Sequence, residues 1–310
     1  MNKTKQFLIL LCIPLLLGGC GNATEDVTST EPFNPIMALT TEPDEATPGY
    51  GPYRKSLQTA ISYDGLTFVP TDEMISGQAH APDAVIKDGD IYLYYSGWIV
   101  GNQINDIALA LSEDNGQTWE HRNILIEELP ELSDPTHPDI LLLDDNTFRL
   151  YFSAHTWTQN GIFYADSTDG INFVYKGVVG VDEQTPLIDS TTHVIDNVWY
   201  QYAFGQTAEE IYVFDGDQNL LDFKAITSFP PNGEVHKPIN GYWLNEKYHL
   251  LMIEEDAGVM RSMSTINGTD WYVDDGERMS ALDDVNSITD ATVVQLEDTY
   301  LMIYSLYQPE

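Results

Sequence analysis

Four stretches of this chain are near copies of one short turn: SYDGLTF (62–68), SEDNGQTWE (112–120), STDGINF (167–173) and TINGTDW (265–271). Around them runs a longer repeat. Five segments, AVIKDGDIYLYYSGW, ILLLDDNTFRLYFSA, THVIDNVWYQYAFG, INGYWLNEKYHLLMIEE and ATVVQLEDTYLMIYS, each pair an apolar strand with a polar turn and a Tyr-rich strand. Asp, Asn and Gly supply the turn conformations, and aromatic and β-branched residues suit pleated surfaces. A second strand pair follows each of the first four hairpins, for example IALALSEDNGQTWEHR and VMRSMSTINGTDWYVDDG. The repeating unit is therefore four strands, with a period of about 50 residues.

The fifth hairpin (290–307) runs into the C-terminus without its second pair, and an unmatched pair, KSLQTAISYDGLTFVP (55–70), stands at the other end. Joining the two closes a ring and removes the exposed edges of a linear array. The expectation is an all-β fold, a five-bladed β-propeller whose N-terminal strands complete the last blade. A two-sheet sandwich gives no reason for equal spacing or for complementary incomplete ends.

The N-terminus reads differently. MNKTKQ, the apolar FLILLCIPLLL and then GGC form a charged region and a short hydrophobic core, the pattern of an export signal. Leu17-Gly18-Gly19-Cys20 resembles the lipobox of bacterial lipoproteins, which implies a signal peptide over 1–19 and lipidation of Cys20. Residues 20–52 are rich in Thr, Glu, Pro and Gly without periodicity and are expected to form a flexible acidic tether, with the propeller domain spanning 53–310. The expected location is the bacterial cell envelope, with the membrane met through the lipid anchor alone. The two cysteines, Cys12 and Cys20, leave the mature domain without a disulfide, so its core must stabilise it. With 49 acidic against 13 basic residues the formal charge is −36. Such a surface repels nucleic acid and anionic headgroups.

In a propeller the innermost strands begin together at one mouth of the central channel. The five starts read GQAHAPDAV (77–85), DPTHPDILL (134–142), PLIDSTTHV (186–194), NGEVHKPING (232–241) and NSITDATVV (286–294). Four bring a histidine, His80, His137, His193 and His236, out of seven in the chain, and all five bring a carboxylate, Asp83, Asp139, Asp189, Glu234 and Asp290.

The repeated turn resembles the Asp boxes of sialidases and other propellers, where it is architectural; no set of three arginines for a sialic carboxylate is evident. The strand starts resemble five-bladed glycoside hydrolases of family 43 and, more distantly, family 32. LIDSTTHVIDNVWYQYAFG is similar to the third-blade pattern, GEVHKP to the fourth-blade element, and HAPDAVIKDGDIYLYYSG to the early blade openings. Ser190 stands where proline is usual, and Val235-His236 where Gly-Pro is. The resemblance implies a glycosidase using a carboxylic acid, a second carboxylate that activates water or attacks, and a third that tunes the acid. On this chain Asp83 would be the general base, Asp189 the residue that orients and tunes the acid, Glu234 the general acid, and Asp139 the reserve for either aspartate. His80, His137, His193, His236, Asp290 and Trp98 are candidate substrate contacts, with Trp157 and Trp243 as further stacking or core residues.

Two other functions stay open: a non-catalytic glycan-binding lipoprotein, and a metal-dependent enzyme using the four histidines. The hydrolytic reading needs no cofactor, and the spacing contains no local metal-ligand motif. Calcium or a transition metal in the channel remains an alternative. The expected partner is a carbohydrate, bound by a monomer.

Overall fold

The computed structural model describes residues 30, 32–33, 54–98, 105–130, 133–155, 160–181, 187–205, 210–217, 220–226, 237–254, 258–280 and 287–307. Cys20, Trp157, Glu234 and His236 lie outside them, as does most of the leader and tether. Every regular element among the described residues is a strand.

After β1 (Pro32–Phe33), β2 (Lys55–Ser62) and β3 (Val69–Gly77) come four groups, each making a sheet. The first sheet holds β4 (Ala79–Lys87), β5 (Asp90–Trp98), β6 (Asn105–Ser112) and β7 (Glu120–Asn123), with β1 added outside β7. The second holds β8 (Leu125–Glu127), β9 (Ser133–Leu142), β10 (Phe148–His155), β11 (Asn160–Ser167) and β12 (Asn172–Val181). β13 (Leu187–Ile195), β14 (Val198–Gly205), β15 (Glu210–Asp217) and β16 (Leu220–Ile226) form the third. The fourth comprises β17 (Lys237–Leu244), β18 (Lys247–Glu254), β19 (Val259–Thr265), β20 (Tyr272–Val273) and β21 (Met279–Ser280). Finally β22 (Ser287–Gln295) and β23 (Tyr300–Tyr307) join β2 and β3 in the order β22-β23-β2-β3.

The arrangement is a β-propeller. Strand β4 lies against β9 and β22, β9 against β13, β13 against β17, and β17 against β22, which returns the ring to its start. Each hydrophobic cluster sits between two neighbouring sheets. Leu57, Ile91, Leu93 and Ile303 join the fifth sheet to the first, and Tyr94, Leu109, Phe148 and Phe152 join the first to the second. Tyr151, Ile162 and Trp199 lie between the second and third, Tyr202, Leu250 and Trp271 between the third and fourth, and Ala60, Tyr242, Leu251 and Met302 between the fourth and fifth.

Each repeated turn latches its sheet to the preceding one. At residues 62–67, 112–118, 167–172 and 265–270 a Ser or Thr hydroxyl accepts from the turn glycine, and an Asp or Asn side-chain oxygen accepts from the next two backbone N–H groups. The glycines hold φ of +71°, +85°, +77° and +75°, a region costly for residues with a Cβ. They also sit flush on the neighbouring sheet: Gly65 on Leu244, Gly116 on Leu301, Gly170 on Tyr94, Gly268 on Tyr200. Tyr94 and Tyr242 donate their hydroxyls to the carbonyls of Gly170 and Gly65 at 2.7 and 2.6 Å.

Part of the stretch expected to be tether is docked. Pro32 pairs with Arg122 and Phe33 with His121, and the Phe33 ring lies 6.1 Å from the His121 ring. This two-residue strand covers the outer edge of the first sheet and packs Phe33 onto its core.

Candidate functional site

All five inner strands carry a register shift against their partners near their beginning: between His80 and Asp83, Thr136 and Asp139, Ile188 and Thr191, Pro238 and Asn240, and Ile288 and Asp290. Ala81, His137 and Asp189 occupy the first three of these bulges with φ of +49°, +53° and +49°. Non-glycine residues held in this region cost energy, and bulges re-aim side chains. The bulge at His137 is held from the first sheet, where Ser96 accepts its N–H at 2.7 Å. Ser305 does the same for Ala81 at 3.1 Å.

The bulges bring three side chains from consecutive sheets into one row at the mouth. The rings of His80 and His137 meet edge to face with centroids 5.2 Å apart. His137 Nε2 lies 3.1 Å from Asp189 Oδ1, while its Nδ1 lies 2.9 Å from the Thr136 hydroxyl. A carboxylate only accepts, so Nε2 carries a proton, and Nδ1 is left to accept from Thr136 when the ring is neutral. The side chains of His137 and Asp189 are 21% and 6% exposed, so the carboxylate is withdrawn from solvent while the imidazole still reaches it.

Asp83 and Asp139 lie one step deeper and are engaged differently. The Asp83 carboxylate accepts from the N–H groups of Ala84 and Ile140 at 2.7 and 2.6 Å, from the Thr292 hydroxyl at 3.0 Å, and from the Asn240 amide. Those donors come from β4, β9, β22 and β17, so one carboxylate spans the channel. Asp139 accepts from the Thr192 N–H at 3.1 Å and from the hydroxyls of Thr192 and Ser190 at 2.6 and 3.1 Å, tying β9 to β13. Burial pushes both carboxyls above their ordinary range, and the charge of Asp83 raises Asp139 further. Asp83, expected as the base at the mouth, is thus a cross-channel acceptor, with three donors on Oδ1 and one, the Ile140 N–H, on Oδ2.

Of the other expected contacts, His193 and Trp243 separate from this row. His193 is five positions along β13 from the mouth region at Ile188 and stacks on Tyr248 at 4.1 Å and Tyr202 at 5.3 Å. Neither of its ring nitrogens has a hydrogen-bond partner among the described residues, and burial pushes its pKa down to about 3. The convergent set of imidazoles is therefore not formed by the three described histidines, and no group of His, Cys, Asp or Glu side chains among the described residues is placed to hold a metal ion. Asp290 Oδ2 accepts from the Thr289 hydroxyl at 2.9 Å. Trp98 ends β5 beside the start of β4, whereas Trp243 lies on β17 at the hairpin end, away from the mouth. Glu234 and His236 lie outside the described residues.

The positive φ at His137 and Asp189 was hidden in the sequence, because neither residue is glycine. The signal available was the spacing: H-A-P-D, H-P-D and D-S-T at equivalent strand starts.

No family model matches this chain, and no curated protein does. Solved structures do. An α-L-arabinofuranosidase from Clostridium thermocellum is similar over 73% of this chain and 81% of its own, at 18% identity and a TM-score of 0.53. A family-43 β-xylosidase/α-arabinofuranosidase from a compost microbial metagenome, solved with xylotriose, covers 73% of this chain and 84% of its own, at 16% identity and a TM-score of 0.54. A putative glycoside hydrolase from Parabacteroides distasonis covers 87% and 96%, at 13% identity and a TM-score of 0.55. At these identities the likeness is one of fold: the chain shares the propeller of family-43 glycoside hydrolases.

Proposed function

We propose that this chain is a glycoside hydrolase, a five-bladed propeller acting on an oligosaccharide or polysaccharide at the mouth formed by His80, His137 and Asp189. The observation that carries the reading is the His137–Asp189 pair, seated on two strained bulges at the same end of adjacent inner strands. The fold neighbours support it. Hydrolysis needs one carboxyl group to protonate the leaving oxygen and another to act from the opposite side. Asp189 takes the second role here, activating water, with His137 fixing its orientation. Asp83 is committed to four donors, and together with Asp139 holds the inner strands in place. Glu234 is the acid on the strength of the fourth-blade resemblance. Export and anchoring through Cys20 belong to the same proposal, supported by Leu17-Gly18-Gly19-Cys20.

The test is release of sugar from arabino-, xylo-, galacto- and fructo-oligosaccharides. Asp189→Asn and Glu234→Gln are each expected to lower kcat by about 10²–10⁴-fold, and Asp83→Asn to act mainly on stability. Turnover that survives both of the first two substitutions removes the reading. Sugar binding without any turnover would favour a non-catalytic glycan-binding protein, the alternative that the engagement of Asp83 supports.

A further inference from the structure

A cavity of about 460 Å³ lies at the hairpin end of the inner strands, lined by residues 83–86, 140–142, 192–194, 240–243 and 293–295 together with Tyr248. All five sheets contribute. Its inner limit includes Asp83, whose bonds to Ile140, Asn240 and Thr292 cross the channel between this space and the mouth. The walls are aliphatic, including Val85, Leu141, Val194 and Val293, and the lining includes the exposed Gln295 amide and Trp243, 44% exposed.

The chemistry of this lining selects its ligand. It contains no lysine or arginine, and the chain carries −36, so an anion finds no counter-charge. Asp83 is engaged by its donors, and the His193 nitrogens are buried between tyrosine rings, so neither presents an open ligand position to a cation. What remains is an apolar wall, a half-exposed indole and a polar amide, which suit a neutral ring with one C–H face and several hydroxyls. Exposed aromatics extend the same end of the molecule: Tyr63 (79%) and Tyr272 (68%) stand in or beside turns at the hairpin ends of the fifth and fourth sheets.

We propose that this cavity is a second sugar-binding site, taking one neutral pyranose or furanose ring against Trp243. It stands apart from the mouth and does not depend on the hydrolytic reading.

Ligand-observed saturation-transfer NMR on the full chain, with xylose, arabinose and galactose as separate probes, tests it. At least one sugar is expected to bind saturably and to keep binding in Asp189→Asn. Trp243→Ala should weaken that binding about tenfold or more, and Trp243→Phe should restore part of it. Trp243 is half exposed, so its removal leaves the core in place, and the Phe variant controls for local disturbance. The absence of a saturable signal from all three sugars overturns the proposal. So does a loss in Trp243→Ala smaller than tenfold, or binding abolished by Asp189→Asn.

Discussion

Two kinds of buried ionisable residue pull the stability of this fold in opposite directions as pH changes. His193 has no hydrogen-bond partner among the described residues, and its pKa is about 3. An unfolded histidine titrates near 6.5, so below that pH the unfolded chain binds a proton that the folded chain refuses, and stability falls as pH falls. The loss is about 1.4 kcal/mol per pH unit, or roughly 2–3 kcal/mol by pH 4.5. His193→Phe keeps a ring between Tyr248 and Tyr202, and urea midpoints for this variant should change less than wild type between pH 7 and 4.5. An equal loss in both proteins would clear His193 of the effect. Asp83 and Asp139 have the reverse sign. Their folded pKa values are raised, so the folded chain holds protons that the unfolded chain has released, and their contribution is lost as pH rises above the ordinary carboxylate range. Asp139→Asn should therefore flatten the neutral limb and leave the acid limb to His193. A pH profile whose neutral limb keeps its wild-type slope in Asp139→Asn counts against this assignment.

At the level of elements, the repeated turn does more than reverse the chain. Its Ser–Asp–Gly bonding makes a compact knob, and the missing Cβ lets that knob sit on the preceding sheet. A Cβ at Gly170 would come within 2.8 Å of the Tyr94 hydroxyl, where φ is also +77°. Gly170→Ala is expected to cost about 2–4 kcal/mol by combining backbone strain with overpacking. Chemical denaturation measures this, and a cost below about 0.5 kcal/mol would mean that the latch yields freely. The turns were legible because Asp, Asn and Gly are chosen for local geometry, which a sequence displays directly. The bulges were not. Their positive φ falls on Ala81, His137 and Asp189, and what holds at least two of them there is a serine from a neighbouring sheet, Ser305 for Ala81 and Ser96 for His137. That is tertiary information, and it decides which acids reach the mouth. The same limit explains Asp83, whose donors stand 57, 157 and 209 residues away, and Phe33, whose docking depends on the exposed edge of β7.

For the molecule as a whole, chain closure and charge oppose each other. The last sheet joins both ends of the domain through eight paired positions, from Lys55 with Tyr307 to Ser62 with Tyr300. This pairing was legible because an incomplete unit at each end of a repeat is a feature of order, independent of side-chain detail. Closing the ring gathers most of the chain's 49 acidic and 13 basic residues into one body, and so large an excess of negative charge repels itself more when compact than when unfolded. Salt weakens that repulsion, since the screening length falls from about 10 Å at 0.1 M to about 3 Å at 1 M. The melting temperature is therefore expected to rise between 0.05 and 1 M salt, by about 5 °C for roughly 1–2 kcal/mol of relieved repulsion. Because the effect comes from screening, NaCl and KCl should give matching curves. A flat or falling curve would show that the acidic surface is already neutralised locally. A rise with only one cation would point to a specific ion site, and the general repulsion would then no longer account for the stability gain.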